Sequence, residues 1–227
     1  MKHLELKKDG SVFVVTMIDD ANSNTFTMDM ITEFNAIYDE IEKTPGDAAM
    51  VLTSSSAKFF CNGINLQWYL EQTEEDQAKF LYEFKKFFLR SSLMNLPTIG
   101  CITGHAFAGG AILASSMDFR VMRNDRAKFC FPEVTYNMPL GDTLIAVIKN
   151  LPNPSAVDHL VLTGMQWKGD ECLKNSIVTS IWPEEELFPK AMAFANELAT
   201  KKRENFTGLK YDVKSALHAM WKAQHIK

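Results

Sequence analysis

The segments Gly104-His105-Ala106-Phe107-Ala108-Gly109-Gly110-Ala111-Ile112-Leu113 and Phe131-Pro132-Glu133 hold the residues best suited to chemistry in this chain. A glycine pair at a helix start lets backbone N–H groups approach a ligand oxygen, and the helix dipole favours negative charge there. Glu133 is the one acid among Phe129, Phe131, Val134, Met138 and Leu140. Apolar surroundings disfavour the carboxylate, so its proton affinity should rise. An anion stabiliser beside a tuned base is what proton abstraction next to a carbonyl requires. Taken alone, Glu133 also reads as a solvated loop acid after a proline.

A second junction, Phe60-Cys61-Asn62-Gly63-Ile64-Asn65, has the same design. The two junctions follow apolar strands expected at 48–53 and 97–102. One N–H from each loop, aimed into a shared cleft, makes an oxyanion hole; two ordinary tight turns are the plainer alternative. A side chain added at Gly109 is expected to sit beside the ligand. His105, at a strand end, reads as a structural residue rather than a base. Phe80, Phe84, Phe87 and Phe88 recur at helical spacing and read as core, with an acyl channel as the alternative. Lys201, Lys202 and Arg203 read as a solvated basic run or as contacts for ligand phosphates.

The elements that must hold these residues follow from periodicity. Leu4 to Lys7 and Val12 to Met17 read as strands joined by an Asp9-Gly10 turn. Phe26, Met30, Ile31, Phe34, Ile37, Tyr38 and Ile41 mark a helix that Pro45-Gly46 stops. Thr73 caps a helix whose first turn is acidic. Asp118 to Met122, Lys128 to Cys130 and Ile177 to Ile181 read as further strands. Strands alternate with helices through the first two thirds, and helices dominate the last third. This predicts a mixed α/β core with a helical C-terminal part, with a soft boundary near 196–207. Val213, Leu217, Met220 and Trp221 form a stripe on a short terminal helix that must pack on something.

Composition bounds the function. The net charge of -4 argues against a general nucleic-acid binder. Cys61, Cys101, Cys130 and Cys172 make no C-x-x-C pair, so neither a zinc framework nor a disulfide scaffold is expected. Reduced thiols, the absence of an apolar signal core and of any 18-residue apolar window, and a C-terminal His225-Ile226-Lys227 all point to a cytoplasmic protein with no membrane partner.

Five blocks in order carry a family resemblance: Lys58 to Leu66, Gly104 to Gly110, Asp118-Phe119-Arg120, Phe129 to Leu140, and Leu160-Val161-Leu162-Thr163-Gly164. The set resembles the crotonase, or enoyl-CoA hydratase/isomerase, superfamily, from the N-terminal hairpin to about Pro183. The resemblance implies a ClpP/crotonase-like α/β spiral of β-β-α units, with a core over 1–195 and a helical segment over 196–227 that takes part in oligomerisation. It implies a homotrimer or dimer of trimers acting on an acyl-CoA in fatty-acid metabolism such as β-oxidation. Coenzyme A is then part of the substrate, and no metal or other cofactor is needed. By position, the oxyanion amides are those of Ile64 and Gly109, and Glu133 is the catalytic acid–base group. Ala57, Phe59, Cys61, Asn62, Gly63, Gly110, Ile112 and Leu140 fall on the ligand-binding positions.

Two positions depart from the family pattern. Asn65 stands where Asp is usual, and Asn can still cap a helix. Ile112 stands where hydratases of the family carry a second glutamate. One remaining carboxylate suits an isomerase that shifts a 3-enoyl-CoA double bond to the 2 position, and the blocks look most like the Δ3,Δ2-enoyl-CoA isomerase branch. The alternatives are a hydratase, thioesterase or decarboxylase of the family, or a non-catalytic acyl-CoA-binding oligomer.

Overall fold

The computed structural model describes residues 1–225. The chain opens with the antiparallel hairpin β1 (Leu4–Asp9) and β2 (Val12–Met17), turned at Gly10 with φ +58°. Helix α1 (Met28–Lys43) follows, capped by the Thr27 side chain and buried along Met30, Ile31, Phe34, Ile37, Tyr38 and Ile41. This is the predicted stripe except for Phe26, which precedes the helix and pairs with Ile64 in a β-bridge.

Three β-β units then repeat, each leading into helix. The first is β3 (Ala49–Ser54) and β4 (Phe59–Cys61), leading into α2 (Leu66–Leu70) and α3 (Glu74–Ser92). The second is β5 (Thr98–Ile102) and β6 (His105–Phe107), leading into α4 (Gly109–Ser116). The third is β7 (Phe119–Arg123) and β8 (Lys128–Cys130), leading through a 3-10 turn (Pro132–Val134) into α5 (Gly141–Ile148). The first strand of each unit joins a six-stranded sheet of order β1-β2-β3-β5-β7-β10, where β10 is Ser180–Trp182. The second joins a four-stranded sheet of order β4-β6-β8-β9, where β9 is Trp167–Lys168. Strands β4, β6 and β8 run parallel, so they end side by side. The glycine junctions therefore follow β4 and β6 rather than the strands at 48–53 and 97–102. Three-residue strands are too short to show a period.

The last strand is Ser180–Trp182, not Ile177 to Ile181; Ile177 and Val178 are buried in a turn region before it. The rest is helical: α6 (Pro154–Thr163), α7 (Gly169–Lys174), α8 (Glu184–Leu198), α9 (Arg203–Val213) and α10 (Ser215–His225). Among the described residues no helix is long and apolar enough to cross a membrane. Phe80, Phe84, Phe87 and Phe88 lie in the main core with Phe26 and Phe34, the ring of Phe84 set edge-on to Phe88 at 4.6 Å.

The C-terminal segment docks both by charge and by the expected apolar stripe, with Leu217 buried in the main core and Met220 and Trp221 packed against it; Val213 is the exception. Val213 is 80% exposed, while Lys210 and Lys214 are buried. Lys210 Nζ donates to Asp118 Oδ2 at 2.7 Å and to the carbonyls of Met94 and Leu96. Lys214 Nζ donates to Asp118 Oδ1 at 2.8 Å and to the carbonyls of Ser92 and Ser116. Burial alone would raise the Asp118 carboxyl, but the two ammonium groups overcome this and hold it low. Burial pushes the Lys210 ammonium down to about 8. Arg203 is likewise structural, donating to Asn95, Thr44 and Ile41, and Lys202 pairs with Asp47. Asp118→Asn leaves two buried cations unpaired, a defect that costs about 3–5 kcal/mol. Urea unfolding should show it as a lower midpoint at unchanged slope.

Candidate active site

The ends of β4, β6 and β8 form one edge, and ligands of α/β sheets gather at the carboxyl ends of strands. Ile64 follows β4, Gly109 follows β6, and Glu133 follows β8. The repeat places equivalent points of three successive units next to one another. Residues far apart in sequence are thereby brought to one edge of the small sheet.

The two glycine loops touch. A Cβ on Gly63 would lie 3.2 Å from the Gly109 nitrogen, and one on Gly109 would lie 3.3 Å from the Gly63 Cα. Gly63 also needs its left-handed backbone, at φ +84°. In the first loop the Asn62 N–H donates to Ser23 O and the Asn65 N–H to Phe26 O. The Ile64 N–H has no acceptor among the described residues. In the second loop Gly109 is the first residue of α4, and its N–H has no acceptor among the described residues. Such end amides are left over by helix geometry. Two such donors thus stand on loops in contact.

Ala108 holds that junction under strain. Its backbone has φ +50° and ψ -123°, a region L-residues avoid at a cost of order 1–3 kcal/mol. Its N–H donates to Cys130 O at 3.0 Å, so the strand that leads into the Glu133 turn also pins the turn that carries Gly109.

Glu133 sits in the 3-10 turn and is 9% exposed. Its Oε2 is buried with no hydrogen-bond partner among the described residues. Burial raises its proton affinity to about 7, offset only in part by its own backbone N–H. The rise expected from the sequence is present, but two of its expected causes differ. Phe129 and Phe131 are fully buried, whereas Val134 and Met138 are 52% and 38% exposed. They lie on the solvent side of a turn whose Tyr136 and Met138 amides bond to Glu133 O.

The other expected positions spread along the site. Ala57 is exposed and Phe59 half-buried at the start of β4, while Asn62 is exposed at its far end. Cys61 is buried, and burial pushes its thiol up to about 12, so it is no nucleophile at neutral pH. Gly110 packs against backbone, for a Cβ there would lie 2.0 Å from Cys61 O. A Cβ on Gly109 would meet the Phe84 ring at 2.9 Å, so it enters the core rather than the ligand cleft as expected. Ile112 is buried in the main core, and Leu140 packs against it beside α5. Asn65 caps α2 by accepting the Trp68 N–H. His105 lies at the opposite end of β6 from Gly109, stacked on Phe107 at 5.1 Å. Burial and the nearby Lys128, Lys58 and Arg126 charges push its imidazole down.

A family model described as Enoyl-CoA hydratase/isomerase matches residues 7–227. The short-chain-enoyl-CoA hydratase of Clostridium acetobutylicum is 28% identical over 200 residues, covering 88% of this chain and 76% of that protein. The peroxisomal enoyl-CoA delta isomerase 2 of Arabidopsis thaliana is 28% identical over 205 residues, covering 87% and 85%. Among solved structures, an enoyl-CoA hydratase/isomerase family protein from Pseudomonas syringae superposes with a TM-score of 0.89 at 22% identity, covering 98% of this chain and 94% of that one. A probable enoyl-CoA hydratase from Mycobacterium tuberculosis H37Rv gives 0.87 at 23% identity, covering 97% and 92%.

Proposed function

The chain belongs to the enoyl-CoA hydratase/isomerase family, and within it we propose that it is an isomerase, moving the double bond of a 3-enoyl-CoA to the 2 position. The Glu133 carboxylate takes the C2 proton of the thioester. The electron pair spreads over C2, C3 and C4 and onto the thioester oxygen, which Ile64 N–H and Gly109 N–H hold. The protonated Glu133 then returns the proton to C4, and the electrons close the double bond between C2 and C3. No water enters, and Glu133 ends as it began.

The observation that supports this reading is the buried Glu133 carboxyl, whose Oε2 has no hydrogen-bond partner among the described residues and whose proton affinity burial raises to about 7. Such a value suits a group that must both take and return a proton at working pH. A hydratase must also activate water. By the family resemblance, Ile112 stands where hydratases carry their second glutamate, and it is buried and apolar.

Turnover of the purified protein on 3-enoyl-CoA and 2-enoyl-CoA tests the reading. Formation of the conjugated 2-enoyl thioester from the 3-enoyl isomer should outpace addition of water to the 2-enoyl isomer. Fast hydration without double-bond migration would make the protein a hydratase, with Glu71, Glu74 and Glu75 the first acids to examine. Release of free coenzyme A would make it a thioesterase.

A further inference from the structure

The Ile64 amide is held in place from outside its own loop. The segment 23–26 runs beside 62–65 and brackets it with three backbone bonds: Asn62 N–H to Ser23 O at 3.1 Å, Phe26 N–H to Gly63 O at 2.8 Å, and Asn65 N–H to Phe26 O at 3.0 Å. At the centre of this strap is Asn24, which is fully buried. Its Nδ2 donates to Ser54 Oγ at 2.8 Å, Phe60 O at 3.1 Å and Phe59 O at 3.4 Å. Ser54 Oγ in turn donates to Phe59 O at 2.9 Å.

These contacts have a physical reason. β4 is the edge strand of the small sheet, so its carbonyls need donors that no neighbouring strand supplies. Asn24 brings an NH2 group to two of them and to Ser54. Its backbone sits at φ +52°, a left-handed conformation that Asn tolerates better than most residues. The strap, β4 and the loop after it therefore form one hydrogen-bonded unit, which leaves the Ile64 N–H without an acceptor among the described residues.

We propose that Asn24 is a positioning residue for the reaction: by fixing β4 to the strap, it aims the Ile64 N–H at the thioester oxygen. The role rests on the oxyanion function of Ile64 proposed above. Asn24 touches no reacting atom. Its contribution is therefore to the placement of a donor, and small misplacements of such groups can cost about 10²-fold in rate.

The test uses Asn24→Asp and Asn24→Gly in the full chain. Asp keeps the shape but cannot donate, and turns an oxygen toward the Phe59 and Phe60 carbonyls. Gly keeps the left-handed backbone and removes the carboxamide. For a folded variant, kcat on 3-enoyl-CoA should fall roughly tenfold to hundredfold while KM changes little, because the oxyanion contact strengthens only in the transition state. Bound 2-enoyl-CoA should show the same loss spectroscopically. Wild type should lower the thioester C=O stretching frequency, and the variants should lower it less. The spectroscopic arm needs only binding, so it separates this proposal from the isomerase reading. A wild type that polarises the thioester without moving the double bond defeats the reading and leaves the positioning role standing. Folded variants with wild-type kcat and wild-type C=O shift would overturn the proposal. So would loss of folding in both, which would make Asn24 purely architectural.

Discussion

Glu133→Gln is expected to make the protein both nearly inactive and more stable. Gln keeps the shape of the side chain but cannot take a proton from carbon at neutral pH. Positioned general bases contribute roughly 10²–10⁴-fold, so isomerisation should fall by that much while acyl-CoA still binds. Wild-type kcat/KM should rise with pH through about 7, as Glu133 ionises in the free enzyme, and the variant should lack that limb.

The stability side follows from the same burial. A carboxyl held at about 7 in the folded protein, against an ordinary 4.5, favours the folded state only while it is protonated. Wild type therefore loses stability as pH rises from 4.5 through 7. Once ionised, the group costs about 3 kcal/mol relative to the unfolded chain. Gln carries no such charge. The variant's unfolding midpoint should exceed that of wild type at pH 8, and the two should converge near pH 4.5. Equal midpoints at both values would mean that Glu133 is solvated, and a solvated acid has no reason to titrate near neutrality.

The parts of this site that were legible in the sequence are those with a local signature. The Asp9-Gly10 turn, the α1 stripe and the Thr73 cap each act within a few residues, and each is where the sequence placed it. The glycine junctions announced close approach, and Gly110 against Cys61 O shows why. Features set by distant partners were not legible. Lys210 and Lys214 look like solvated lysines until Asp118 is found between them. Asn24 looks like one more polar turn residue, because its partners Phe59 and Phe60 in β4 lie 35 and 36 residues further on. Val134 and Met138 look apolar and therefore buried, yet the turn leaves them outside. The strands β4 and β6 are too short to declare themselves, although their parallel ends assemble the site.

Adjacent glycines should fail in different ways. Gly110→Ala puts a Cβ 2.0 Å from the carbonyl oxygen of Cys61, which belongs to the backbone of β4 and has no rotamer to change. That protein should fail to fold or should unfold far below wild type. Gly109→Ala meets the tip of the Phe84 ring at 2.9 Å and the Gly63 Cα at 3.3 Å. A ring can swing aside at modest cost, and overpacking of this kind typically costs about 1–3 kcal/mol. The remaining push falls between the two loops that carry the free amides. It should part Gly109 N–H from Ile64 N–H without unfolding the chain. Losing one such donor costs about 3–4 kcal/mol in the transition state, so kcat should drop roughly 10²–10³-fold in a folded Gly109→Ala protein. Circular dichroism with 3-enoyl-CoA kinetics separates the two outcomes. A folded Gly109→Ala protein with wild-type kcat would show that thioester activation does not depend on the contact between these loops.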